Sequence, residues 1–263
     1  MKDWTVTTFM VLGLEVVLAI LLLLSIEVAY RIALRRDLAS SQLPSTTAVS
    51  SVVFSLMGLV LAFSYSEAGK RLEAHRHLVV DEANAITSVW FRIDVVPATA
   101  QVSLRELLTV YLDERIQAHQ ALPQMGEFEL HRARAADLHR QIWTEMVAVT
   151  TAAPDQEVLL LPPVLLMAEV AGKRTLAVRT HITSPTFLFM LGLALVGAAL
   201  VGVTTARGPG RNWPYRLMFV AVVSAAIHVV VDMEYPRTGI VSTEEADSLL
   251  MELRDTMRVR SSP

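Results

Sequence analysis

Four stretches of the chain are long and nearly free of charge, and they come in two pairs separated by a polar middle. A hydrocarbon core about 30 Å thick is crossed by roughly 20 mostly apolar helical residues. The first stretch runs from about Phe9 to Ala29 around Ala19-Ile20-Leu21-Leu22-Leu23-Leu24. Its length, with neither a basic leader nor an A-x-A cleavage pattern, marks a retained helix rather than a signal peptide. The second covers Thr46 to Ser66, between Pro44, a helix-start signal, and the charged Glu67-Ala68-Gly69-Lys70-Arg71. The third, Thr186 to Ala206, opens on Ser184-Pro185 and ends at Gly208-Pro209-Gly210. The fourth runs from about Tyr215 to Asp232. The short connections 30–45 and 207–214 make each pair an antiparallel hairpin.

The middle switches to helical periodicity with charge interleaved. Leu78, Val79, Ala83, Ile86, Val89, Trp90 and Ile93 recur among Asp81, Glu82 and Arg92, with no breaker after the second span. That span is therefore expected to continue as one long helix to about Val96, ended by Pro97. A second helix carries Leu104, Leu107, Leu108, Tyr111, Leu112 and Ile116, and Pro123 and Gly126 mark the next turn. A third covers about Glu127 to Thr151. Ala153-Pro154-Asp155 starts a fourth, which Pro162-Pro163 should break or kink early. The tail is polar, with one amphipathic stretch at Leu249, Leu250, Met251 and Leu253. The expected fold is all-α: two membrane spans (1–66), a helical extramembrane domain (67–183), two further spans (184–235) and a polar tail (236–263).

Composition supports the membrane assignment. Apolar residues make up 53% and charged residues 19%, against about 25% charged in soluble domains, and the mean hydropathy is +0.44. A net charge of −3 gives no basic field for nucleic acid. Without cysteine, thiol catalysis and cysteine metal sites are excluded. Arginine marks cytoplasmic loops, and the two short loops hold Arg31, Arg35, Arg36 and Arg207, Arg211, Arg216. They are expected in the cytoplasm, with 67–183 outside, in a multi-pass protein of the inner membrane.

Candidate chemistry is sparse. On the second span Ser51, Ser55, Gly58, Ala62, Ser66 and Gly69 fall three or four apart, one small, weakly polar stripe. Such a face packs helices together or lines a water-filled path, and spacing alone leaves both open. Phe54, Met57, Leu61 and Phe63 lie off the stripe, with Phe54 and Phe63 as candidates for a hydrophobic constriction. Ala194, Ala198 and Gly202 form a similar ridge, read as packing. Intramembrane ionisable groups are functional candidates by cost. Glu15 lies deep in the first span. His228 and Asp232, four apart, pair a carboxylate with an imidazole, as a proton or ion gate or as a structural hydrogen bond. Glu27 is within a turn of Arg31 and pairs with it. Neither His75 and His77 nor His131 and His139 are spaced to grip one ion, so no metal is assigned. Asp81-Glu82-Ala83-Asn84 is expected to make polar interhelical contacts. No phosphate loop, nucleophile elbow, H-E-x-x-H or dinucleotide fingerprint occurs, so no catalytic residue and no cofactor are assigned.

Two motifs point to a family. Gly58-Leu59-Val60-Leu61-Ala62-Phe63 runs on into Asp81-Glu82-Ala83-Asn84-Ala85, and the last span exits through Val231-Asp232-Met233-Glu234-Tyr235-Pro236-Arg237-Thr238-Gly239. This exit is similar to an acidic-x-acidic-x-Pro-Arg-x-Gly ending, with Glu234 where aspartate is more usual. With the order of spans, the chain resembles the bestrophin-like family of bacterial membrane proteins over nearly its whole length. The family takes its name from bestrophins, homo-oligomeric anion channels lined by their second transmembrane helix. The resemblance therefore implies several copies, five by that likeness, around a pore lined by the second span and passing small inorganic anions across the bilayer. In bestrophins the large helical part is cytoplasmic, opposite to the orientation expected from the arginines here. The alternative is a non-conducting scaffold or sensor whose outer helical domain binds a partner.

Overall fold

The computed structural model describes residues 3–36, 44–122, 124–179, 184–206, 212–234 and 244–261, all helices and short connections with no strand among them. Eight α-helices follow in order: α1 Asp3–Arg35, α2 Pro44–Arg92, α3 Ala98–Gln120, α4 Met125–Ala152, α5 Glu157–Arg179, α6 Ser184–Thr205, α7 Trp213–Glu234 and α8 Glu244–Ser261. The chain divides into two units, residues 1–72 with 181–241 and residues 73–180 with 242–263.

The first unit holds α1, the beginning of α2, α6 and α7, and each of the four helices is long and apolar enough to cross a membrane. α1 packs along α6 and α7. Leu18, Leu22 and Ile26 close against Met190, Ala194, Ala198 and Val201 from α6 and Val220, Val223 and Ile227 from α7. In lipid, helices associate through close packing rather than through the hydrophobic effect, so small residues set the distance of approach. Gly202 is such a point. A Cβ added there would stand 2.9 Å from Ala29 Cβ and 3.0 Å from the Tyr30 backbone nitrogen, and closer still to the Ile26 carbonyl oxygen. The Ser25 hydroxyl donates to the Leu195 carbonyl at 2.9 Å in the same seam. The expected packing ridge Ala194, Ala198, Gly202 is the α6 side of this contact.

The second unit interleaves charge with its apolar positions. α2 runs unbroken for 49 residues, roughly 70 Å at 1.5 Å per residue. Only about 20 of these are needed to cross the hydrocarbon, and charge enters the helix from Glu67 onward. A 3₁₀ turn, Ile93–Val95, ends it, and Pro97 caps α3. One core joins Val79, Ile86, Val89, Trp90 and Ile93 of α2 to Leu104, Leu108, Tyr111 and Leu112 of α3, Ile142 and Met146 of α4, and Leu160, Val164 and Met167 of α5. Polar ties cross it: Ser103 Oγ donates to Glu145 at 2.7 Å, and His139 Nε2 to the Val164 carbonyl at 2.9 Å. α8 lays Leu250 and Met257 into the core. Arg258 fixes it to Asp113 of α3 at 2.7 Å.

Of the two outcomes expected at the paired prolines, a break or a kink, the break does not occur. Pro162 and Pro163 do not break the helix; α5 passes through both. They sit in its second turn, and the bonds they forgo are those to the first residues of the helix. That is the end of a helix where proline costs least.

Candidate functional site

Ser51, Ser55, Gly58, Ala62 and Ser66 are all exposed along α2 or partly so. A Cβ built on Gly58 would meet nothing within 4 Å. The opposite side of the helix is engaged: Ser64 and Ala68 are buried, and Phe54 and Met57 rest against Gly197 of α6. Beside the small stripe runs a bulky exposed one, Val52, Leu56, Leu59 and Phe63. The membrane unit thus leaves one broad side of α2 uncovered, small and weakly polar along one edge and large and apolar along the other.

The two aromatic candidates part company. Phe54 packs edge-to-face on Phe219 of α7, ring centroids 6.1 Å apart, and is spent on packing within the protomer. Phe63 is 67% exposed and belongs to the bulky stripe.

The intramembrane groups sort by partner. His228 Nδ1 meets Glu15 of α1, a partner one helix away rather than one turn away. The pair stands in the wall of a cavity of about 80 Å³ otherwise lined by apolar side chains, among them Leu14, Leu18, Leu21, Phe187, Met190 and Ile227. Asp232 is buried further along α7. At the other end of the bundle, Glu27 accepts from Arg31 at 2.7 Å, as expected. Its second oxygen faces Arg216 Nη1 at 3.4 Å. Arg216, counted above as a loop arginine, is fully buried. It donates to Thr205 Oγ1 at 3.0 and 3.2 Å and lies over the Tyr30 ring at 4.1 Å. The remaining loop arginines 207 and 211, and the motif residues Tyr235 to Gly239, lie outside the described residues.

The strongest polar constellation joins residues that helical spacing does not pair. Glu82 is completely buried and receives Arg115 Nε of α3 on one oxygen and Arg174 Nη1 of α5 on the other, both at 2.5 Å. Burial alone would raise the carboxyl pKa, but the charges and hydrogen bonds of Arg115 and Arg174 outweigh it and hold it below the usual range. Burial likewise works against charge on Arg115, and Glu82 more than restores it. Tyr111, beside them, is pushed up by burial. One carboxylate thus clamps three helices. A signal was present: Glu82 and Arg115 sit inside otherwise apolar helical faces, Val79 to Ile86 and Leu108 to Ile116. Outward from it, the carboxyl pKa of half-buried Glu129 is lowered by hydrogen bonds from Arg179 and Arg132. Among the described residues no cluster could hold a metal ion.

The comparisons with known proteins agree with this architecture. The family model for the Bestrophin-like domain matches residues 16–247. Several solved structures share the fold. One bacterial bestrophin homologue from Klebsiella pneumoniae, solved as a point variant, superposes with a TM-score of 0.69 at 15% identity, covering 96% of this chain and 98% of its own. Two further variants give 0.67 at 13% identity, covering 91% and 98%, and 0.66 at 14%, covering 94% and 99%. No curated protein matches the sequence.

Proposed function

The chain belongs to the bestrophin-like family, and from that premise we propose that it is the subunit of a homo-oligomeric membrane channel, lined by α2 and conducting small inorganic ions, with anions preferred. One observation carries the lining: α1, α6 and α7 bury their faces in one another, while Ser51, Ser55, Gly58, Ala62 and Ser66 stand uncovered on α2. Serine hydroxyls and bare backbone suit partly hydrated ions better than they suit lipid chains. A single bundle of four helices leaves no axial path of its own, so a pore needs several copies around an axis, for which closed cyclic symmetry is the usual arrangement. Five copies and anion preference rest on the bestrophin likeness. Phe63, exposed beside the stripe, is the remaining candidate for a constriction, with Phe54 occupied on Phe219.

The test is flux. Purified protein in liposomes should dissipate a chloride gradient, and protein-free liposomes should not. Absence of flux for any small ion, in protein that is oligomeric and folded, would leave a non-conducting scaffold. Orientation follows separately. With the short loops in the cytoplasm, a reporter fused near Arg36 is active only there and one near Gly126 only outside. Cytoplasmic activity at Gly126 reverses the assignment.

A further inference from the structure

Within the membrane unit, the cavity of about 80 Å³ beside Glu15 and His228 is walled by Leu18 and Leu21 of α1 and by Met190 and Leu191 of α6. Val17 and Leu21 at its α1 edge are exposed, so it opens on the surface of the bundle. Glu15 stands near the start of the apolar span Gly13–Arg35, and His228 near the end of Trp213–Met233. Their contact places both toward one end of the bundle. Leu18 and Leu21 follow Glu15 about 4.5 and 9 Å further into the span, at 1.5 Å per residue. Polar groups thus stand toward the end of the span, and an apolar wall runs inward from them. Ionisable groups among spans point to function by their cost. An apolar pocket with a few convergent polar groups is the usual form of a ligand site.

We propose that this cavity binds an uncharged amphiphile with a hydroxyl head and a slender aliphatic chain, a membrane-dissolved alcohol rather than an acid or an amine. Nothing in this depends on ion conduction. Size excludes a ring: an apolar cavity that accepts benzene measures about 150 Å³, so this one takes a chain. Hydrogen bonding selects the head. The contact joins His228 Nδ1 to one oxygen of Glu15, and an imidazole and a carboxylate each have a second polar atom. A hydroxyl donates and accepts through one oxygen and can serve either of them. A plain alkane would leave both facing carbon. Charge excludes the rest, because an ionised head would give up its hydration against an otherwise apolar wall. A carboxylate head would also meet Glu15, and an ammonium would compete with His228 for it.

The experiment uses the full chain in phosphatidylcholine liposomes and an n-octanol that carries a diazirine on its chain, with labelled residues read by mass spectrometry. The expected result is saturable labelling at Leu18, Met190 or Leu191, displaced by excess n-octanol and not by n-octane or octanoate. Leu217 and Val222, exposed on α7, should show only the unsaturable labelling of lipid-dissolved probe. Glu15→Leu combined with His228→Leu should lower the saturable part about tenfold, the order expected when a hydrogen-bonded head loses its partners. Leu21→Trp, which fills the mouth and leaves the pair in place, should lower it as much. Should neither variant fold, the competition series on the wild type carries the test. Labelling no stronger in the cavity than at Leu217 and Val222 overturns the inference, and so does equal displacement by octane or octanoate. Either result leaves the channel reading standing, and liposomes that pass no ion leave this test intact.

Discussion

Two polar contacts, one in each unit, meet the cost of charge differently. In the charged unit, Glu82 lies at zero exposure and is met by two arginines from two other helices, so every oxygen has a donor and three helices share one anchor. In the membrane unit, Glu15 and His228 face each other in the wall of an apolar cavity, each with a quarter to a third of its side chain open, while buried Arg216 is met by Glu27 and Thr205. A fully desolvated carboxylate is tolerable only when opposing charge and hydrogen bonds offset the cost. A pair that stays partly open bears less of that cost. The first arrangement is a rigid fixture. The second joins two helices, α1 and α7, and stays partly open.

The comparison breaks most easily at Glu82. Glu82→Ala leaves Arg115 and Arg174 buried without their counterion and should cost about 3–5 kcal/mol, read as a large fall in the melting temperature of the full chain in detergent. The same group gives a pH dependence. Its folded pKa lies below its unfolded value near 4.5, so its stabilisation is fully present above about pH 4.5. It is lost as pH falls through the depressed folded value. Glu82→Gln should melt lower at neutral pH and lose part of the acid sensitivity that the wild type shows; an unchanged acid slope would remove Glu82 from the account.

Gly202 and Gly58 sharpen the contrast between covered and uncovered faces. Gly202→Ala forces a methyl into the backbone of α1 and should cost about 1–3 kcal/mol. Gly58→Ala meets nothing in the protomer and should leave protomer stability unchanged or raise it by up to about 1 kcal/mol through helix propensity. Equal losses at the two sites would show that α2 is covered where the protomer leaves it bare.

The smallest effect belongs to the intramembrane pair. A double-mutant cycle on Glu15→Gln and His228→Asn should give a coupling near 0.6 kcal/mol, the ordinary worth of an interhelical polar contact in a membrane. The same cycle on Glu82 and Arg174 should give several-fold more. Comparable couplings would erase the distinction drawn between the units.

The spans, the long α2 and its end at Pro97 are legible in sequence because length of apolar run, charge and proline act locally. The small stripe is legible for the same reason. Local rules also mislead. Asp232, one turn from His228, is the partner that helical spacing offers, whereas the structure brings Glu15 of another helix to it. Arg216 reads as a loop arginine because it begins the fourth span, yet Glu27, Thr205 and Tyr30 hold it inside. Pro162 and Pro163 read as a break or a kink, and the structure carries the helix through them, because their place in the second turn depends on where α5 begins. The Glu82 clamp joins three segments far apart in the chain, and no single-helix periodicity pairs them.

The central claim is that the small face of α2 borders water in an oligomeric pore. The most direct measurement places a cysteine at Ser55 in this cysteine-free chain and records conductance in a planar bilayer before and after a membrane-impermeant charged thiol reagent. A fixed charge in a narrow, low-dielectric path acts strongly on passing ions. Modification by a positively charged reagent should change the current at once and raise anion preference, and a negatively charged reagent should lower it. A protein that conducts while Ser55→Cys remains unmodified, or is modified with no change in current, would contradict the account.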